Sequence, residues 1–195
     1  MTQPLVAVLA LGLLAAPASK DPAAKAPAPA ASPAPSPEAL VAKLVAWTPP
    51  ENSPRDLGNP HVRPLVALGA AAVPALVAAL ANPAQRYQDA QTQVVWMLGE
   101  IGDPHAFDAL LRLWEAERRH GAKMRIGISL GACLDAANAK RLIARLDAAN
   151  GLPLLADLTG QKLEDLAKYQ TWLSVPANLE VTVKNCKLRS VPQHG

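Results

Sequence analysis

Apolar residues recur through the middle of the chain at the spacing of one helix face. Phe107, Leu110, Leu111 and Trp114 fall at i, i+3, i+4 and i+7, and Ala139, Leu142, Ile143 and Leu146 repeat that spacing. Each set predicts an amphipathic helix. Leu40, Leu44 and Trp47 line one side of another, predicted over 37–47. Beyond Asn150-Gly151, which read as a helix stop, residues 152–173 predict a further pair. The helical pattern breaks in the tail over 175–195, where Leu179, Val181 and Val183 alternate. That alternation predicts a short edge strand or an extended strap.

The breaks between helices are also regular. Leu68-Gly69, Leu98-Gly99 and Leu130-Gly131 carry glycines 30 and 32 residues apart. Glycine takes the left-handed conformation that satisfies the last carbonyls of a helix, which places Gly69, Gly99 and Gly131 at helix ends. Asp103 then caps the next helix, with Pro104 at its first position, where a missing N–H costs nothing. Pro74 suits the first turn of its helix in the same way, and Asp135 caps the third unit. Three two-helix units at such a period predict an α-solenoid, helical from about 38 to 174.

The stretches "LGAAAVPALVAAL", "MLGEIGDPHAFDALLRL" and "LGACLDAANAKRL" resemble the HEAT-like repeats of the short bacterial type, also found in the phycobilin-lyase family. In that pattern a helix ending Leu-Gly is followed by Ile-Gly-Asp-Pro and then a helix of Ala-x-x-x-Leu type; the third unit here lacks the Gly-Asp-Pro. Leu158-Thr159-Gly160-Gln161, with Trp172 twelve positions after Gly160, is similar to the closing segment of such proteins, although their paired tryptophans are reduced to Trp172-Leu173. The resemblance covers residues 60–150 and implies an all-α fold. The expected architecture is a short right-handed α-solenoid of HEAT-like helical hairpins over 38–174, followed by an irregular, extended C-terminal tail over 175–195. It also implies a binding habit, since such repeats serve as scaffolds, adaptors and enzyme subunits.

The N-terminal residues "MTQPLVAVLALGLLAAPAS" change the picture of where this domain works. An uncharged apolar run from Leu5 to Ala16, followed by Ala16-Pro17-Ala18, predicts a signal peptide over 1–18 and an exported, periplasmic or extracellular chain. An uncleaved membrane anchor and a buried N-terminal helix are the alternatives. Residues 19–37 hold seven alanines and six prolines without apolar period, the composition of an extended, disordered linker.

Composition narrows the function classes. Half the residues are hydrophobic but only 4% are aromatic, so Ala, Leu and Val carry the burial. A net charge of +3 is too small to argue for nucleic acid. His61, His105, His120 and His194 are scattered, without metal-ligand spacing. His105 with Asp108 could form half of an acid–base pair, and Glu115 with Glu117, or Glu164 with Asp165, a carboxylate pair. Helix-terminal and solvated-face roles suit all of them better. Cys133 and Cys186 could form one disulfide or remain free.

No cofactor, metal or catalytic residue is therefore expected, and no nucleic acid. The membrane enters only through an uncleaved N-terminal anchor. The expected function is that of a non-catalytic protein-binding scaffold or adaptor in the cell envelope. The alternative is an accessory subunit or enzyme, like the lyase-type HEAT proteins, with a site outside any recognisable motif. The expected binding surface is basic and lies on the second helices of the middle repeats: Arg112 and Arg119 on one, Lys140, Arg141 and Arg145 on the next. An acidic protein segment or an anionic polymer would dock there, with salt-sensitive affinity.

Overall fold

The computed structural model describes residues 35–48, 59–81 and 89–191. The expected signal peptide and most of the linker lie outside the described residues. Those described belong to one unit that runs from Pro35 and is all-helical, with no strand among them. The helices are α1 (Pro37–Ala46), α2 (Val62–Ala67), α3 (Val73–Ala81), α4 (Asp89–Ile101), α5 (Phe107–Ala116), α6 (His120–Ala132), α7 (Ala136–Arg145), α8 (Ala148–Thr159), α9 (Leu166–Leu173) and α10 (Pro176–Ser190). None is long and apolar enough to cross a membrane.

Local chemistry sets many of the boundaries. Asp103 accepts a hydrogen bond from His105 N–H and opens a short 3₁₀ turn, Pro104–Ala106, that leads into α5. Asp135, Asp147 and Asp165 cap α7, α8 and α9 by accepting from the N–H three residues on. Gly160 closes α8 in the left-handed region at φ 69°, and the chain then bends under Tyr169. The fully buried Tyr169 hydroxyl donates to Gln161 O at 2.6 Å and accepts from Leu163 N–H at 3.2 Å, which fixes α9 against this loop.

α2, α4, α6 and α8 lie side by side in that order, while α3 meets α5 and α7 meets α9. α3 also packs on α4, and α5 on α6. The predicted apolar faces supply the core between them: Phe107, Leu110, Leu111, Trp114, Ala139, Leu142, Ile143 and Leu146 are all buried. Each large side chain so placed contributes about 1.5–3 kcal/mol over exposure.

Four expectations are corrected. Residues 176–190 form a helix instead of a strand or strap, and α10 crosses back over α4, α6 and α8. Its buried face is Thr182, Cys186 and Ser190, at helical spacing. The two hydroxyls donate to carbonyls one turn back, Asn178 O and Cys186 O, each at 2.9 Å, so polar residues can be buried there. Docking thus overrides the β-propensity of the alternating valines.

Gly99 and Gly131 lie in the last turns of α4 and α6, under α10, but neither takes the left-handed conformation expected of it. A β-carbon on Gly99 would stand 2.6 Å from Ser129 Oγ and 2.8 Å from Ser190 Cβ. One on Gly131 would stand 2.7 Å from Cys186 Sγ. They are glycines because α10 passes over them. The left-handed turn after α4 belongs to Gly102, φ 62°, whereas Gly69, φ 57°, does follow a helix as expected.

Gly151 does not stop a helix either. It lies inside α8, where a β-carbon would come 2.7 Å from Leu146 Cβ.

Candidate functional site

The five predicted basic residues do not form one free patch. Arg119 lies outside α5, at the N-terminus of α6, where its Nη2 meets Glu117 Oε2 at 2.9 Å. The Arg119 hydrogen bonds, working against some desolvation, pull the Glu117 carboxyl down to about 2. On α7, Arg141 pairs with Asp108 of α5 and lies 5.3 Å from the Phe107 ring centre. Arg145 forks onto Glu115 of α5 at 2.9 and 3.1 Å. These two pairs form a ladder joining α5 to α7 and spend the charge expected to face a partner. Being largely exposed, each is worth roughly 0–1 kcal/mol.

Arg112 is exposed on α5 and, with Arg119, borders a hollow of about 520 Å³ that Val77, Leu80 and Leu113 floor. Lys140 points the other way along α7. It lines a hollow of about 380 Å³ between α7 and α9, with Ile143, Gln170 and Thr171.

A larger hollow, about 620 Å³, adjoins that one and shares Ala136, Leu173 and Ser174 with it. Its walls are α10, the end of α9 and the α6–α7 turn. Leu134, Leu173, Leu179, Val183 and Leu188 make it apolar, and Glu180, Lys184 and Lys187 form its rim. Leu188 is 63% exposed and Val181, on the outer side of the same helix, 53%. Leu188 thus extends the apolar lining of the hollow into solvent, whereas Val181 stands apart from it.

The candidate chemistry resolves differently. His105 Nδ1 lies 2.7 Å from Asp103 Oδ1 and Asp108 is taken by Arg141, so His105 and Asp108 do not pair; His105 lies in the turn that opens α5 and Asp108 in its first turn, the roles the sequence favours. Desolvation opposes ionisation of Asp103. Hydrogen bonds from the His105 backbone and ring, with the nearby Lys187 charge, still hold its carboxyl below the usual range. Asp103 is spent as a helix cap. Glu115, Glu117 and Glu164 each face a basic side chain, Arg145, Arg119 and Lys168, and Asp165 is a cap; the carboxylates do not pair with one another. Among the described residues no group of three or more His, Cys, Asp or Glu is placed to hold a metal ion.

Cys133 and Cys186 are free and buried, their thiols turned to Leu98 O and Leu158 O. Burial pushes both up to about 12, which makes them poor nucleophiles.

The sequence points to Lys140 but not to the rest of the groove, because the alternation of Leu179, Val181 and Val183 predicts an extended chain where α10 stands. A helical period in Leu179, Val183 and Cys186 was the available signal. Compared with known proteins, the chain matches no family model, no curated protein and no solved structure.

Proposed function

We propose that this chain is a non-catalytic binding module, a scaffold or adaptor of the bacterial cell envelope. It is built as a short right-handed α-solenoid of HEAT-like hairpins and engages a protein partner through the groove at its C-terminal end. The solenoid reading is supported by the side-by-side order of α2, α4, α6 and α8 and by the repeat. Leu98-Gly99 and Leu130-Gly131 both lie in the last turns of their helices, α4 and α6, and an aspartate cap follows each: Asp103 on the 3₁₀ turn before α5 and Asp135 on α7. Export rests on the N-terminal sequence alone.

One observation carries the binding role: the two adjoining hollows floored by Leu134, Leu173, Leu179, Val183, Leu188 and Ile143, open to solvent beside α10. The experiment is a comparison of charge reversals in capture of an envelope partner by the full chain. Lys140→Glu with Lys184→Glu should abolish capture, whereas Arg141→Glu with Arg145→Glu should leave it intact. The opposite result would return the site to the α5–α7 face.

A further inference from the structure

We infer that the groove takes an acidic amphipathic segment, one that seats apolar side chains between α10 and the α6–α7 turn and sets carboxylates against Lys140 and Lys184. The inference rests on the binding role proposed above and adds the chemistry of the partner.

The two hollows share Ala136, Leu173 and Ser174 and make one trough, running from Leu188 on α10 to Ile143 on α7. Its floor is apolar, so an occupant gains by burying leucine-like side chains. A purely ionic polymer would leave that floor unused. The charged side chains along the trough are Lys140, Lys184, Lys187 and Glu180, three positive and one negative. Asp103 partly offsets Lys187, since the two charges feel one another. Lys140 on α7 and Lys184 on α10 are exposed, line one hollow each and make no ion pair among the described residues. Their places on two different helices favour a segment with acidic residues on both sides of its apolar stripe. A second copy of this chain would bring the same lysines against themselves, which disfavours self-pairing through this face.

The test uses the full chain and two fluorescein-labelled helical peptides of about 16 residues with identical leucine spacing, flanked by Glu in one and by Lys in the other. The Glu peptide should bind about tenfold more tightly than its Lys twin at about 0.05 M salt, and the advantage should shrink as salt rises. Lys140→Glu with Lys184→Glu should erase or invert that preference, and Leu188→Ser should weaken binding of the Glu peptide. Circular dichroism confirms that each variant stays folded. Equal binding of the twins would overturn the acidic segment while leaving the groove as a binding site. Binding of neither would overturn both. A doubled mass in light scattering that Leu188→Ser returns to monomer would assign the groove to a second copy and overturn the inference.

Discussion

Ser190, at the end of the last helix, rests directly on Gly99 of α4: a β-carbon at Gly99 would come within 2.8 Å of Ser190 Cβ. The contact holds α10 across α4 and α6, and so holds one wall of the groove. Gly99→Val should therefore destabilise the protein by about 1–3 kcal/mol through overpacking. Gly121→Ala is the control, because nothing lies within 4 Å of that site; helix propensity there favours alanine by up to about 1 kcal/mol. Urea denaturation distinguishes the two. Equal stability of Gly99→Val and the parent would mean that α10 does not lie over α4.

Ser129 also faces Gly99, its Oγ 2.6 Å from where a β-carbon would stand. Its hydroxyl is fully buried and has no hydrogen-bond partner among the described residues. Burying an unpaired hydroxyl costs about 1–3 kcal/mol. Ser129→Ala should thus leave stability unchanged or raise it by up to about 1 kcal/mol. A clear loss in thermal denaturation would show that the hydroxyl has a partner.

The two buried thiols predict a pH dependence at the alkaline end. Unfolded thiols ionise near 9, but burial holds those of Cys133 and Cys186 protonated to about 12. The unfolded chain therefore binds fewer protons in this window, and stability falls as pH rises from about 9 toward 12. The double variant Cys133→Ala, Cys186→Ala should lose part of that slope when denaturation is followed at pH 8 and at pH 11. An identical slope would remove the thiols as its source. Below pH 9 both thiols should also resist alkylation in the native state.

Acid acts on a different pair. The Glu117 carboxyl titrates near 2 in the fold against 4.5 ordinarily. Its contribution is complete above the ordinary value and disappears as pH falls toward 2. Glu117→Gln should remove that contribution: the variant is less stable than the parent above about pH 4.5, and the two converge as pH falls toward 2, the backbone N–H groups of Arg118 and Arg119 keeping an acceptor in the amide oxygen. A parallel loss at every pH would mean that the side chain matters for packing instead.

How much of this was legible in the sequence follows from whether a signal is local. Asp103 and Asp135 as caps, and the faces through Phe107 to Trp114 and Ala139 to Leu146, rest on spacing within one turn or two, and the structure places them as expected. Gly99 and Gly131 carried the right residue for a wrong reason, because what stands opposite them, Ser190 and Cys186, lies far along the chain. α10 was hidden by its own buried face: Thr182, Cys186 and Ser190 have helical spacing but do not read as an apolar stripe. The basic site suffered from the same blindness. Asp108 and Glu115 lie 33 and 30 residues from the arginines they pair with, and no periodicity announces such partners. Lys140 alone of the five predicted residues lines the groove now proposed.

The most direct measurement is site-specific photo-crosslinking with the full chain in cells that produce it, with the reactive group placed in turn at Leu188, Val181, Arg112 and Arg145. Binding at the C-terminal groove predicts one discrete adduct from Leu188, lost on Lys140→Glu with Lys184→Glu, and none from Arg112 or Arg145. Discrete adducts from Arg112 or Arg145 with nothing from Leu188 would contradict it.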